Sequence, residues 1–191
     1  MIKNVIILAA AAAIGVAGVG LVDCHWHFSE AKKGNVMALM AVAEHSGEFE
    51  KIMQLSERYN GLVLPCLGVH PVQELPSEDQ RSVTSKDLEV ALPIIGHYKD
   101  QLLAIGEVGL DFTPRFAGTD EQKEEQRQVL IKQVQLAKRL NLPLNVHSRS
   151  AGRPSINLLH EQAETCKTVA FIFYMLRNRF ACTRTSTTSA K

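Results

Sequence analysis

The sequence is poor in the features that assign a chain to a class at sight. The net charge of the 191 residues is +1, so no global field exists to attract nucleic acid, and any such binding must be local to a site. The four cysteines, Cys24, Cys66, Cys166 and Cys182, include no C-x-x-C pair. That excludes a disulfide framework and a structural zinc knuckle, and leaves reduced, mostly buried thiols. No P-loop is present, and Gly15, Gly18 and Gly20 have the wrong spacing for G-x-G-x-x-G, which removes the two usual nucleotide readings of an α/β chain. What remains, 46% hydrophobic and 21% charged residues, is ordinary for one globular domain with a real core.

One long apolar run is present, VIILAAAAAIGVAGVGLV from Val5 to Val22, uncharged and preceded by Lys3. Its end, GLV, leads into Asp23-Cys24-His25 as a buried strand would. Three readings stay open: a packed extension, the apolar part of a signal peptide, or a membrane anchor. The first leaves the protein in the cytoplasm or nucleus, and the others direct residues 1–22 to secretion or a membrane. Membrane contact is expected only from an anchor.

Beyond that run, apolar segments alternate with helical patterns. Strands are expected at Val36–Ala43, Leu62–Val69, Leu102–Val108 and Pro143–Val146, although Pro65 argues against the second. Helices are expected at Ser46–Tyr59, at Ser85–Tyr98 with a break at Pro93, at Thr119–Leu140, and from Pro154. Thr119-x-x-Gln122 is a capping box, and Lys138-Arg139 suits the far end of that helix dipole. VAFIFYMLRNRF offers a further strand. Alternation of this kind means a parallel α/β sheet, open or closed.

The polar residues gather after strands. Asp23-Cys24-His25-Trp26-His27 ends the first apolar run, Gly68-Val69-His70-Pro71 the third, Gly106-Glu107-Val108-Gly109-Leu110-Asp111 the fourth, and Asn145-Val146-His147-Ser148-Arg149 the fifth. In a β/α barrel these ends share one face, the face of the active site. His25 and His27, two apart on a strand, point the same way and can grip one ion. Glu107 can bridge to a second ion, and His147 can bind it. Imidazole with carboxylate suits zinc, manganese or a similar divalent ion. Singly, each has a plainer reading: a helix cap for Glu107, a core histidine for His147, a turn residue for His70. Their coincidence at strand ends favours a metal site. His45 opens a helix, and His97 and His160 lie on helices, so all three read as structural or surface residues.

The motifs D-x-H-x-H, G-V-H-P, G-E-V-G-L-D and N-V-H-S-R, in this order from about Gly18 to Glu161, resemble the successive signatures of the TatD deoxyribonucleases. The resemblance implies a TIM-barrel-type (β/α) fold and hydrolysis of DNA phosphodiesters, with up to two divalent ions (Zn, Mg or Mn). It implies that His25 and His27 bind one metal, Glu107 bridges, and His147 binds the other. It casts Glu107 and His70 as catalytic, and sets His70 and Arg149 by the substrate phosphate, a sensible partner for arginine. DNA is the expected substrate, and no stable protein partner is expected.

The chain departs from that pattern in three places. The family's later ligands, a His after the sixth strand and an Asp after the eighth, have no occupant, since the last Asp is Asp120 and the last His is His160. Only Phe28–Asn35 separates His27 from the next strand, too short for a helical crossover, so the first helix is expected to be largely missing. Family sequence fades at about Gln162, and no acid follows Glu164. The expectation is therefore an incomplete α/β barrel of about five to six of eight strands. Residues 1–16 form an apolar extension, 17–161 a partial metal-dependent hydrolase barrel, and 162–191 a divergent tail. Weak or absent nuclease activity is expected, and a catalytically impaired truncated isoform is the alternative. An amidohydrolase acting on amides or lactones is a further reading, but it needs the same missing Asp, and G-E-V-G-L-D and G-V-H-P favour the nuclease.

Overall fold

A computed structural model of the chain describes residues 39–74 and 80–164, and the backbone of short strands at 5–6, 170–175 and 182–184. The strands are β1 (Val5–Ile6), β2 (Leu39–Val42), β3 (Val63–Leu67), β4 (Val72–Gln73), β5 (Arg81–Ser82), β6 (Ala104–Asp111), β7 (Leu144–Arg149), β8 (Ala170–Met175) and β9 (Cys182–Arg184). The helices are α1 (Phe49–Arg58), α2 (Ser85–Tyr98), α3 (Asp120–Leu140) and α4 (Gly152–Glu164). The strand expected from GLV, His25, His27 and the short Phe28–Asn35 connection lie outside the described residues.

The main sheet has the order β1-β2-β3-β6-β7-β8-β9. β2, β3, β6, β7 and β8 pair in parallel, each added beside its predecessor. Sequential addition on one side is the order of a β/α barrel, whereas a doubly wound sheet reverses at a switch point. β1 and β9 flank this set in antiparallel pairing. Among the described residues the result is an open, partial barrel.

The two sheet faces are unlike. Leu39, Ala41, Leu67, Ile105, Val108, Leu110, Leu144 and Val146 form one core with Phe49, Ile52 and Met53 of α1, Leu88, Ala91 and Ile95 of α2, and Val129, Leu130 and Val134 of α3. The alternate residues Met40, Val42, Cys66 and Ala104 make a smaller cluster on the opposite face. There the buried Asn145 amide sits 3.4 Å from Met40 Sδ. His147 is two residues further along β7 and shares that face with Asn145.

Two prolines behave differently from expectation. Pro65 is inside β3, because pairing with β6 begins only at Cys66, so the donor it lacks precedes that ladder. Its carbonyl still accepts from Leu103 N–H at 2.9 Å. Pro93 does not break α2, which runs through from Ser85 to Tyr98. Pro93 and Glu89, whose carbonyl loses its donor, are both exposed, so water can replace the bond.

α3 follows its sequence signals closely. Thr119 Oγ1 accepts from Gln122 N–H, and Gln122 Oε1 accepts from Thr119 N–H, each at 3.2 Å. Asn141 closes the helix in the left-handed region at φ 53°. Thr119→Ala is expected to lower stability by about 1 kcal/mol, read as a reduced midpoint in urea unfolding at unchanged slope.

Candidate metal centre

The site is built where β3, β6 and β7 end. β6 carries an irregularity between Ile105 and Val108 in its register with β7. Ile105, Val108 and Leu110 all enter the helix-side core, a spacing of three and then two that reveals one extra residue. This bulge turns Glu107 toward the inner face, where His147 stands. Its flanks need glycine. A Cβ on Gly106 would lie 2.5 Å from Asn145 Cβ, so β6 and β7 pack closely because that side chain is missing.

One ligand atom from each of His70, Glu107 and His147 lies within 4.8 Å of the others. His147 Nδ1 is 3.1 Å from Glu107 Oε1, and both side chains are buried. The His70 and His147 rings meet edge to face with centroids 4.4 Å apart. His70 Nδ1 lies 2.9 Å from the Val72 carbonyl. Val72 N–H also points at Nδ1 from 3.0 Å, so the tautomer that accepts there carries its proton on Nε2, and the one that donates to the carbonyl leaves Nε2 its lone pair.

Asp111, at the end of β6, closes the group. Its Oδ2 is 3.5 Å from His147 Nε2 and 3.6 Å from an Arg149 guanidinium nitrogen. Oδ2 and His147 Nε2 are both buried and have no hydrogen-bond partner among the described residues. If His147 Nδ1–H donates to Glu107, two lone pairs face each other across this gap. Such a pair calls for a cation between or beside them, either a proton or a metal ion. With the imidazole–carboxylate donor set, this makes the residues present a fit for a divalent ion.

The electrostatics follow from burial. Burial pushes the Glu107 carboxyl up, but the His147 hydrogen bond and the neighbouring His70, His147 and Arg149 charges outweigh it and hold the group ionised. Burial also acts against Asp111, yet the His147 imidazole 3.5 Å away and the bond from Thr113 N–H bring it down to about 2. His70 is lowered to about 4 by burial and by the His147 charge. Burial lowers His147, but the Asp111 and Glu107 carboxylates raise it more, so it ends above its ordinary value.

These opposite shifts have a consequence for the metal-free chain. His70, depressed from 6.5, contributes stability that is complete above pH 6.5 and is lost as pH falls toward about 4. His147, raised, contributes stability that is complete below its unfolded value and is lost as pH rises through its folded value. Urea midpoints measured in chelator should therefore peak near the unfolded histidine value, about pH 6.5. The acid limb, on the order of 1–3 kcal/mol, should flatten in His70→Asn. A monotonic profile through this window would contradict the assignment.

Of the residues singled out in the sequence, His70, Glu107, His147 and Arg149 are brought together, while His25 and His27 lie outside the described residues. His45 caps the turn before α1, its Nδ1 accepting from Gly47 N–H at 3.1 Å. His97 and His160 are exposed on helices. Sequence reasoning missed Asp111, although it sits in the motif that supplied Glu107. A carboxylate at a strand's last position was the available signal. It also missed Gln126 and Gln133, polar residues among the apolar positions of α3.

Residues 23–182 match the family model described as TatD related DNase. A human protein named Deoxyribonuclease TATDN3 is 79% identical over 159 residues, covering 76% of this chain and 58% of that protein. An Escherichia coli protein named Uncharacterized metal-dependent hydrolase YjjV is 30% identical over 141 residues, covering 67% and 50%. A crystal structure of YjjV, described as a TatD homolog, superposes with a TM-score of 0.57 at 28% identity, over 70% of this chain and 48% of that one. The chain thus spans about half the length of these relatives.

Proposed function

This chain belongs to the TatD-related DNase family, and from that premise we propose that it is a metal-dependent hydrolase acting on DNA phosphodiester bonds. The observation that carries the reading is the convergence of His70, Glu107 and His147 beside a buried Asp111 oxygen that no hydrogen bond satisfies among the described residues. Glu107 and His147 would hold the ion, with His25 and His27 as the further ligands that the family motif implies. A divalent ion there supplies water of lowered pKa, from about 15.7 toward about 7, and positive charge against the phosphate.

The remaining chemistry belongs to side chains. Glu107 stays ionised in a buried place, so it is always an acceptor. His70, neutral at physiological pH, can accept through Nε2 beside the same space when its Nδ1–H donates to the Val72 carbonyl. The Arg149 side chain is 45% exposed and can turn from Asp111 to a phosphate oxygen. Asp111 sits behind His147 and limits how that ring can rotate. A DNA substrate fits a cytoplasmic or nuclear setting. Among the described residues, no helix is long and apolar enough to cross a membrane.

The test is cleavage of a labelled DNA oligonucleotide by this chain with Mn²⁺ or Mg²⁺, against a chelator blank and Glu107→Ala. Slow cleavage that needs the metal and is lost in the variant is the expected result. Products that form equally in chelator, or equally with Glu107→Ala, would refute the reading.

A further inference from the structure

A helix lying on a sheet needs only apolar side chains where it touches, yet α3 buries two glutamines completely, Gln126 and Gln133. They are seven residues apart, two helical turns, and so share one face. Each makes the same unusual contact. Gln133 Oε1 accepts from Val69 N–H at 2.8 Å, and its Nε2 donates to the Val69 carbonyl at 3.0 Å. Gln126 Oε1 accepts from Asp111 N–H at 2.8 Å, and its Nε2 donates to the Asp111 carbonyl at 3.0 Å. A side-chain amide that engages both backbone groups of one residue does what an adjoining strand would do.

The places so engaged are where the ladder gives out. β3 pairs with β6 only at Cys66↔Ala104 and Leu67↔Ile105, and beyond these pairs the two strands part. Val69 follows β3 and is the residue before His70. Asp111 ends β6 and faces His147. Gln126 Nε2 also lies 3.4 Å from the Pro71 carbonyl and 3.1 Å from Ser82 Oγ, so it ties the two strand ends together. Without the amides, the backbone groups of Val69 and Asp111 would lose these partners on the side where β3 and β6 part, although Asp111 stays paired with Arg149 of β7 and His70 N–H with the Glu44 carbonyl.

We propose that Gln126 and Gln133 are positioning residues, two amide clamps by which α3 sets the direction of the His70 and Asp111 side chains at the open strand ends. The inference rests on the hydrolase reading for its purpose but not for its test. The amides act on backbone, and their effect on the site passes through His70 and through Asp111 to His147. Val129, buried on the same helix between the two glutamines, serves as the control, because it packs in the core without a hydrogen bond to the site.

Long-range ¹H–¹⁵N spectra of the full, metal-free chain read the tautomer and environment of each imidazole. Gln133→Met is expected to shift the His70 signals most, with a smaller change at His147, whose ring meets that of His70 edge to face. Gln126→Met is expected to shift both. Val129→Ala, destabilised by a core cavity, should shift neither. Mn²⁺ affinity should fall about 10–100-fold in each glutamine variant and hold in Val129→Ala. If Gln133→Met does not fold, Gln133→Asn retains an amide one methylene short of Val69 and should give the same His70 shift. Unchanged imidazole signals in the folded glutamine variants, or equal changes in Val129→Ala, would overturn the proposal. Should the wild-type chain bind no Mn²⁺, the hydrolase reading falls, and the spectra still decide the clamp.

Discussion

Glu107→Gln is expected to abolish saturable divalent-metal binding while leaving the fold nearly intact. The glutamine carbonyl oxygen can still accept from His147 Nδ1, now 3.1 Å from Glu107 Oε1, so the buried imidazole keeps its partner. What disappears is the negative charge, the strongest donor in the set. Altering groups that merely support metal ligands typically costs 10–100-fold, so losing this ligand should cost at least about 100-fold in Mn²⁺ affinity. Glu107→Ala should add a stability penalty, since it strips one partner from a buried pair, on the order of 3 kcal/mol. Calorimetric titration with Mn²⁺ and urea unfolding of both variants separate the two effects. Mn²⁺ binding by Glu107→Gln at wild-type affinity would remove Glu107 from the ligand set.

The largest effect on the fold is expected from Gly109→Ala. Gly109 has φ +152°, and a Cβ there would lie 1.9 Å from the His147 carbonyl oxygen, 2.8 Å from its carbonyl carbon and 3.0 Å from its nitrogen. All three atoms are backbone, so no rotamer change relieves the clash, and β6 and β7 would have to separate at the site. Overpacking and an unfavourable φ together imply a loss of about 3 kcal/mol or more, enough to unfold a marginal chain. Gly96→Ala is the matched comparison. Gly96 lies in α2 with nothing within 4 Å of a new Cβ, so alanine there should stabilise by about 0.5–1 kcal/mol. Thermal or urea unfolding of the two variants checks both signs. A Gly109→Ala chain as stable as wild type would mean that the strands do not approach as closely as described.

Much of this was legible along the chain because the relevant physics is local. The period of the apolar residues marks β2, β3, β6 and β7 and all four helices, and the capping box sets the start of α3. The order of polar residues after the strands places His70, Glu107, His147 and Arg149 on one end, since strand ends in sequential parallel addition share a face. Where local rules were applied too strictly they failed. Pro65 sits in a strand because its missing donor precedes the ladder, and Pro93 sits in a helix because the affected groups are exposed.

The composition, the alternation of strand and helix, and the residue types gathered at the strand ends determined the class of fold and the kind of chemistry proposed for it. Each of these depends on residues near one another in sequence. Only the tertiary structure decided that a bulge turns Glu107 toward His147, that Asp111 stands opposite an imidazole nitrogen, and that Gln126 and Gln133 grip strand ends 15 and 64 residues away. Those relations depend on where β3 and β6 part and how α3 crosses them. No spacing in the sequence encodes a gap between strands, because its position is set by the packing of the whole sheet against its helices.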